Sequence, residues 1–456
     1  MMSLPDLRLK AVFNKLTKRI SEKQTLSLRK LSTSRNEEIQ FGRFVGNKRV
    51  SVDFLEQELY SQMDNCNSDH CLLIEDTSQV GFSLARSIKD LGKVDKGQIK
   101  GFYIHPVLAI DAVNYACYGI ASVEFISRPW PQAALTHNQK SAARSRAPFE
   151  EKESYRWLDS IKKALPRCSN SKAKTVVADR EADIYPLLTG LTDELGVDYV
   201  IRSRIDRSTE NGTSISGQVK EWSETSCYQL KVPATDKRSA HMAKMVVKYG
   251  KVSLRKTESK SIRKVPAYYS TYVVEVKELA ESIVNNEEPI QWLLLTSHNI
   301  DNPEKALQII DWYKQRWNVE QVFRTLKSKG LRINTSQLGD YEKLKKMTVL
   351  ALISAVKVIQ LIKAREGQTG QLMTATFNET EQECMVLLNR QLEGNTEKLK
   401  NPYSQSTLAF AAWVIARLAG WSGYQSQRPA GPTDFLIGLQ RFDERVQGFI
   451  LAKEHP

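Results

Sequence analysis

The chain has 456 residues, 41% of them hydrophobic, which is enough for two to four folded domains and too apolar for a disordered chain. Its 66 lysines and arginines outnumber 52 acidic residues, and the net charge of +14 favours a polyanionic partner, most often nucleic acid. No signal peptide is evident, and the longest apolar run, residues 349–356, is too short to span a bilayer. We therefore expect a cytoplasmic protein without a membrane span.

The six cysteines are scattered and show no CxxC spacing. Cys66, His70 and Cys71 lie close together in the sequence, but two further ligands at zinc-finger spacing are missing. The sequence therefore predicts reduced thiols and no zinc site.

The first part of the chain passes from helices to strands. Residues 1–70 are polar, with helical periodicity and basic clusters, and "CLLIEDTS" then predicts a short buried strand that ends at Glu75 and Asp76. The segments "GFYIHPVLAID" and "NYACYGIASVEFI" predict two strands joined by a tight turn. Residues 127–149 lack periodicity and predict a long loop, a type of segment that is usually functional or mobile.

The second part begins with a helix, "EKESYRWLDSIKKAL", and continues with a strand, turn and helix in "KTVVADREADIYPLL" and a strand in "VDYVIRSR". Residues 227–290 alternate apolar with polar side chains, which predicts half-exposed antiparallel strands. Residues 230–278 contain twelve Lys/Arg and four Asp/Glu, a net charge of +8. "WLLLTS" predicts a buried strand, and the pattern from Met347 onward is helical.

One predicted helix, "DWYKQRWNVEQVFRTLKSKG" (residues 311–330), carries a polar stripe opposite an apolar one. At about 100° per residue, four polar side chains fall within about 60° of one another. They are Tyr313, Arg316, Glu320 and Lys327, and the apolar stripe consists of Val319, Val322, Phe323 and Leu326. A solvated face with ion pairs one turn apart is the ordinary explanation of such a stripe.

Two aspartates, Asp76 and Asp179, close predicted buried strands, where a carboxylate is held rigidly at the edge of a sheet. A helix N-cap or a turn is the alternative role of each. Together with Glu320 they provide three carboxylates on two strands and a helix. Such a set suits a pair of Mg²⁺ ions about 3.5–4 Å apart in phosphoryl transfer.

These motifs resemble those of the DDE transposases of bacterial insertion sequences, in particular the IS-four/Tn-five family. The resemblance rests on "IEDTS" with Asp76, "ADREADIY" with Asp179, and the signature Tyr-(2)-Arg-(3)-Glu-(6)-Lys, which Tyr313, Arg316, Glu320 and Lys327 match without a gap. It runs from about residue 41 to the segment "AGWSGY" near the C-terminus.

The resemblance implies an RNase H-like catalytic core with a β-strand insertion between the fifth core strand and the catalytic helix. It implies five regions: a helical DNA-binding region (1–70), a first core part (71–226), the basic insertion (227–290), a second core part (291–365) and a helical dimerisation region (366–456). It further implies cut-and-paste transposition by a homodimer on double-stranded DNA, at the terminal inverted repeats of the element and at a target, with two Mg²⁺ ions or Mn²⁺ in their place.

By the same resemblance, Asp76, Asp179 and Glu320 are the metal ligands and catalytic residues. Tyr313, Arg316, Lys327, Arg202, Arg204 and Trp292 are DNA contacts, and Trp292 matches an aromatic residue that receives or replaces a flipped base. From the residues alone, Trp292 is equally well a core side chain, and Arg202 a surface charge that ends a strand. Glu181 and Asp183 are interpreted as supporting or helix-start residues.

The region before Asp76 is shorter than in the family, without its first helix, which puts recognition of the element's ends in question. A catalytically idle, DNA-binding regulator derived from a transposase is therefore an alternative, and a structure-selective nuclease that cuts without strand transfer is another. The intact carboxylates favour an active transposase.

Overall fold

The computed structural model describes residues 6–95, 99–130, 147–235, 238–256, 265–327, 330–424 and 428–454. Within them, the chain forms a single mixed sheet of eleven strands with helices around it. The strands are β1 (His70–Glu75), β2 (Ser78–Phe82), β3 (Lys93–Val94), β4 (Ile99–Asp111), β5 (Cys117–Ile126), β6 (Ala173–Ala178), β7 (Asp198–Arg202), β8 (Ser226–Val232), β9 (His241–Arg255), β10 (Tyr268–Glu278) and β11 (Gln291–Thr296).

Thirteen α-helices lie in the same described ranges. They are α1 (Leu7–Lys23), α2 (Leu28–Leu31), α3 (Arg35–Gly46), α4 (Val52–Tyr60), α5 (Arg156–Ala164), α6 (Tyr185–Thr189), α7 (Ile215–Glu221), α8 (Pro303–Lys314), α9 (Trp317–Leu326), α10 (Tyr341–Ala364), α11 (Glu379–Leu392), α12 (Leu408–Leu418) and α13 (Pro432–Glu454). The mixed α/β architecture agrees with the mixture of strands and helices that the sequence predicts.

The main path of the sheet has the order β2-β4-β1-β6-β7-β11-β10-β9-β8, and β5 and the short β3 also pair with β4. Strands β1, β6 and β7 are parallel neighbours, and the remaining pairings are antiparallel. The predicted hairpin is formed by β4 and β5, and its turn is held by Asp111, whose Oδ1 accepts from the backbone N–H groups of Val113 and Asn114.

Strands β1 and β2 are two halves of one extended run beside β4. Glu75 pairs with Val107 and Ser78 with Ile104, which is the same register on both sides of a two-residue interruption at Asp76 and Thr77. That register places Asp76 opposite Pro106, which has no backbone N–H to contribute to the ladder. The interruption therefore leaves the Asp76 backbone outside the regular strand pairing.

The predicted basic strands are present as β8, β9 and β10, but they are not a separate body. Strand β11 pairs with β10 on one side and with β7 on the other, so the basic strands continue the sheet that carries Asp179. The alternation along β9 is as expected: Lys251 and Arg255 are exposed, and Val252 and Leu254 between them are buried.

Apolar cores cover both faces of the sheet. Alternate residues of β1 enter opposite cores, with Leu72 and Ile74 in one and Leu73 in the other. The N-terminal helices pack into the first core, where Leu16 and Phe41 are fully buried. A third cluster is built by the C-terminal helices α11, α12 and α13.

Helix α10 is long and apolar enough to cross a membrane by length and composition, but 78% of its apolar window is buried within the protein. It packs against both the N-terminal helices and the sheet core, with Leu344, Leu352 and Ile359 among its buried side chains. Its composition is therefore that of a central core helix.

The helix predicted for residues 311–330 is in fact two helices, α8 and α9, separated by a turn at Gln315 and Arg316. The backbone N–H of Gln315 bonds to Trp312 O and that of Arg316 to Tyr313 O, which are three-residue bonds that tighten the chain locally. Lys327 lies just beyond the end of α9. The predicted apolar stripe is correct, because Val319, Val322, Phe323 and Leu326 are all buried.

The predicted loop of residues 127–149 lies largely outside the described residues, since 131–146 are not among them. The predicted strand and helix that follow it are present as β6 and α5, and the predicted C-terminal helix is α13.

Candidate active site

Asp76 and Asp179 lie side by side at the carboxyl ends of the neighbouring strands β1 and β6. Ile74 of β1 pairs in parallel with Val177 of β6, so two residues further on Asp76 and Asp179 stand side by side. Each side chain follows a run of buried strand residues, which fixes its backbone. The sequence prediction that both acids lie at the carboxyl ends of central strands is therefore correct in its structural part.

Helices α8 and α9 bring the polar stripe onto this edge. The hydroxyl of Tyr313 donates a hydrogen bond of 3.2 Å to Asp179 Oδ1. The Arg316 guanidinium donates from Nη1 to Asp76 Oδ2 at 3.3 Å and from Nη2 to Glu320 Oε1. The stripe is therefore not an ordinary solvated face, because it contacts both strand aspartates.

Lys327 reaches the same edge from the end of α9. Its Nζ donates a 2.6 Å hydrogen bond to Ser78 Oγ at the start of β2, two residues after Asp76. Burial lowers the pKa of Lys327 against the opposing attraction of Asp76. Ser78 was not identified from the sequence, although it lies within the motif "IEDTS" that contains Asp76.

Burial and crowding of like charges set the electrostatics of Asp76. Burial raises the pKa of Asp76 to about 6, and the negative charges of Asp179 and Glu320 act in the same direction. The backbone N–H of Thr77, which donates to Asp76 Oδ1 at 2.7 Å, and the charge of Arg316 oppose the rise. A cation beside these acids would relieve the same repulsion.

Arg316 and Tyr313 respond to the acids around them. Burial would lower the pKa of Arg316, but the neighbouring Glu320, Tyr313 and Asp179 raise it above its ordinary value. Burial, with Asp179 adding to it, raises the pKa of Tyr313 to about 12. Near neutral pH, Arg316 is therefore a cation and Tyr313 a hydrogen-bond donor.

A buried polar network supports Asp76 from behind. Glu75 Oε2 accepts from Ser160 Oγ at 2.8 Å and lies 3.2 Å from His105 Nε2, and His105 Nδ1 lies 2.8 Å from Thr77 Oγ1. Burial raises the pKa of Glu75 well above its ordinary value and lowers that of His105 to about 3, so His105 is neutral near pH 7. The network therefore fixes Thr77, whose N–H bonds Asp76.

Three predicted DNA contacts occupy different positions relative to this centre. The Trp292 ring packs edge-on against Tyr313, with ring centroids 5.5 Å apart, and is half-buried. The Arg202 side chain donates to Gln291 O at 3.0 Å and contributes a hydrogen bond that lowers the pKa of the Tyr313 hydroxyl. The Arg204 side chain is exposed, and its backbone N–H donates to Asp183.

Asp183 is a structural residue of the neighbouring loop. It is buried, forms an ion pair of 2.7 Å with Arg207 and accepts from the backbone N–H groups of Arg204 and Ile205. Glu181 is exposed and pairs with Arg156 at 3.2 Å, while Arg156 also donates to Thr77. Neither acid contacts Asp76, Asp179 or Glu320 in the described hydrogen bonds, which agrees with a supporting role.

The three carboxylates fit a hard divalent cation by donor chemistry, since all their ligand atoms are oxygen. Among the described residues, however, their oxygen atoms do not all lie within 4.8 Å of one another. Arg316 bridges Asp76 and Glu320 as their counter-charge. Binding of a cation between these acids would therefore require the Arg316 side chain to release at least one of them.

Such an arrangement, rigid carboxylates with adjacent cationic donors on a mixed α/β scaffold, is typical of enzymes that act on phosphodiesters. Residues 151–356 match the family model described as the transposase DDE domain. The matched segment contains Asp179, Glu320 and the other polar-stripe residues but begins after Asp76. It supports a transposase function, with DNA as the partner, for an enzyme class that generally uses divalent metal ions.

Proposed function

We propose that the protein is a DNA transposase of the IS-four/Tn-five type that cuts and rejoins DNA at the ends of an insertion sequence. The observation that carries the proposal is the double contact of Arg316 with Asp76 and Glu320, together with the level placement of Asp76 beside Asp179. The contact with Arg316 is the reason to include Asp76 in the proposed site, although the family match begins at residue 151.

The fold supports an RNase H-like core. If β1 and β2 are counted as one interrupted strand and the two-residue β3 is left aside, β7 is the fifth core strand, after β1–β2, β4, β5 and β6. Strands β8–β10 follow it and precede helices α8 and α9. That is the place where a β-strand insertion is expected in this family. We retain the proposed regions 1–70, 71–226, 227–290, 291–365 and 366–456 as a functional division of the chain.

The proposed metal ligands are Asp76, Asp179 and Glu320. When bound, a pair of Mg²⁺ ions, with Mn²⁺ as a substitute, would stabilise the attacking and leaving oxygens of the phosphodiester. The chain's own residues hold these ligands in place: Tyr313 bonds Asp179, and the Thr77 N–H bonds Asp76.

Arg316 and Lys327 are the proposed phosphate contacts at the point of cutting. A guanidinium can release a carboxylate and bind a phosphate through the same paired N–H groups, whereas the lysine supplies a point charge. Arg202, Arg204 and Trp292 lie on the side of β7 and β11 and are the proposed contacts to the adjoining DNA. Tyr313 lies between Trp292 and Asp179 and is thereby in reach of both.

In the proposed reaction, water cleaves one strand and frees a 3′ hydroxyl at the element's end. This hydroxyl attacks a phosphodiester of the opposite strand, which forms the hairpin bond and releases the 3′ hydroxyl of the flanking DNA. The hairpin is reopened, and the 3′ end joins target DNA. A homodimer that holds two ends in a synaptic complex is the proposed assembly, with the helices of residues 366–456 as its dimerisation region.

The test uses full-length protein and supercoiled plasmid that carries the gene with its flanking DNA, including any inverted repeats. We expect Mg²⁺-dependent cleavage by the parent and none by Asp76→Asn, Asp179→Asn or Glu320→Gln, with DNA binding in Ca²⁺ retained. Affinity should persist because the basic surface is unchanged. Asp311→Asn is the matched control, since Asp311 is exposed on α8 and pairs with Lys314.

The alternatives give different results in the same assay. A parent protein that binds the flanking DNA but never cuts it would identify the catalytically idle regulator. Cleavage without joined products would identify a structure-selective nuclease. Cleavage retained by any one of the three carboxylate variants would remove that residue from the site.

A further inference from the structure

Three cysteines from two distant parts of the sequence meet at the edge of the sheet opposite the carboxylates. The sulfur atoms of Cys66, Cys71 and Cys168 all lie within 4.8 Å of one another, and each residue is at most 3% exposed. His70 lies between the first two in the sequence but outside the cluster, since its ring bonds Thr175 at 2.8 Å. The third thiol comes from the segment after α5.

The geometry of the thiols suits a tetrahedral soft cation. Zinc–thiolate bonds of about 2.3 Å at tetrahedral angles separate the sulfur atoms by about 3.8 Å. The cluster would therefore contract by about 1 Å or less to hold one ion. Three thiolates select zinc over the hard cations that carboxylates prefer.

A second feature also points into this cluster. Ser171 is 2% exposed, and its Oγ is buried without a hydrogen-bond partner of ordinary geometry. Its backbone N–H donates to Cys168 O at 3.1 Å, and its side chain lies next to the Cys66 thiol. An orphaned buried oxygen is costly, and a metal at this place would give it a partner.

The electrostatic surroundings can support the bound state. Three thiolates around one Zn²⁺ leave a net negative charge, which is costly in an apolar core without a counter-charge. Lys174 Nζ donates to Ser171 O at 2.6 Å, on the chain segment that carries Cys168. A cation is therefore in place beside the cluster.

We propose that Cys66, Cys71 and Cys168 form a structural zinc site, with Ser171 Oγ as the oxygen ligand that completes the tetrahedron. Binding would displace the thiol protons to solvent. Cys66 follows the N-terminal helices, Cys71 begins the strand that leads to Asp76, and Cys168 precedes the strand that leads to Asp179. The ion would tie these three segments together about 17 Å from Asp76, five residues along β1.

The first measurement is the metal content of the full-length protein, purified without chelator. We expect about one zinc ion per chain, lost from Cys66→Ala and Cys168→Ala. Cys117→Ala is the matched control, because Cys117 is fully buried in β5 and lies outside the cluster. It should keep the ion even if it lowers stability. Ser171→Ala should retain the site with at least tenfold weaker affinity.

The second measurement uses the parent protein alone, so that misfolded variants cannot obscure the result. Co²⁺ added to metal-free parent should give thiolate charge-transfer bands and the strong visible bands of tetrahedral cobalt, and Zn²⁺ should abolish them. The proposal would be overturned if, even with zinc added, the zinc content of the parent protein did not exceed that of Cys168→Ala. The proposal would also be overturned if the denatured protein had two fewer free thiols than its six cysteines, because that result indicates a disulfide.

Discussion

The Tyr313 hydroxyl donates a 3.2 Å hydrogen bond to Asp179 Oδ1 and thereby joins helix α8 to the end of β6. The donor is a buried phenol, and the bond restrains the Asp179 carboxylate from one side. Tyr313 is thus a positioning residue for Asp179 as well as a proposed DNA contact.

Replacement of Tyr313 by Phe should slow DNA cleavage about tenfold or more, because a hydrogen bond to a charged group contributes about 1.5–3 kcal/mol and each 1.4 kcal/mol of barrier is tenfold in rate. Single-turnover cleavage at saturating protein would measure it. If Tyr313 acts by positioning Asp179, a higher Mg²⁺ concentration should partly restore the rate. An unchanged rate with raised Kd for DNA would instead show that Tyr313 only binds DNA.

Cleavage should fall as the pH drops through about 6, because burial raises the pKa of Asp76 to about that value and the protonated acid is a poor metal ligand. Arg316 opposes the rise, so Arg316→Gln should move the acid limb of the pH–rate profile to higher pH. Lys314→Gln removes a nearby half-buried charge that pairs with Asp311 and should leave the limb in place. An identical limb in Arg316→Gln would show that Asp76 does not control it.

The stability of the C-terminal region should decrease as the pH rises from about 4 to about 7. Burial raises the pKa of Asp443 to about 7, so as the pH rises this acid ionises in the unfolded chain before it ionises in the folded protein. The folded protein therefore loses stability relative to the unfolded chain until the pH passes about 7. Asp443→Asn should therefore raise the free energy of unfolding at pH 8 by up to a few kcal/mol and change it little at pH 4. Denaturant unfolding at both pH values would measure this, with the exposed Glu444→Gln as control.

DNA affinity should depend steeply on salt, and substitution of Lys251, Arg255 and Lys256 by Gln should flatten the slope of log affinity against log salt by about 0.9 per lost phosphate contact. Ala178 pairs with Ile201, so one residue further on Asp179 is level with Arg202, and the register continues through Leu294 and Val274 to Tyr249. Of the three substituted residues, Lys251 lies nearest that level.

Lys251→Gln should therefore account for the largest share of that change. Lys244→Gln is the matched control, because Lys244 lies on the opposite face of β9 and pairs with Glu281. Equal slopes for the parent and the triple variant would place these side chains outside the DNA contact.

Trp292→Ala should leave the first nick intact but slow hairpin formation on pre-nicked DNA about tenfold, since stacking on a displaced base is worth about 1–3 kcal/mol. The Trp292 ring also packs on Tyr313, so Trp292→Phe serves as a control that keeps an aromatic contact. If hairpin formation is as fast in Trp292→Ala as in the parent, Trp292 is a packing residue only.

The sequence predicted those features that depend on local pattern. The strand ends at Asp76 and Asp179 follow from short apolar runs, and the buried stripe of α9 follows from helical periodicity. The break at Gln315 and Arg316 was not predicted, because each residue there suits a helix and only the observed three-residue hydrogen bonds reveal the turn.

Contacts between distant segments could not be read from the sequence. Cys168 lies about a hundred residues from Cys66, so no spacing rule connects them. The network of Glu75, His105 and Thr77 depends on the register of β4 beside β1 and β2. The same is true of the basic strands, whose pairing to β11 makes them part of the main sheet.

Because β9 is hydrogen-bonded through β10, β11 and β7 to β6, the sheet fixes the distance between the basic strand β9 and the proposed cleavage site at Asp179. Four inter-strand spacings of about 4.8 Å separate Tyr249 from Asp179 by roughly 19 Å. At about 3.4 Å per base pair, a duplex that touches both places does so about five to six base pairs apart. A shortened duplex that ends inside that distance would lose the β9 contact while still reaching the carboxylates.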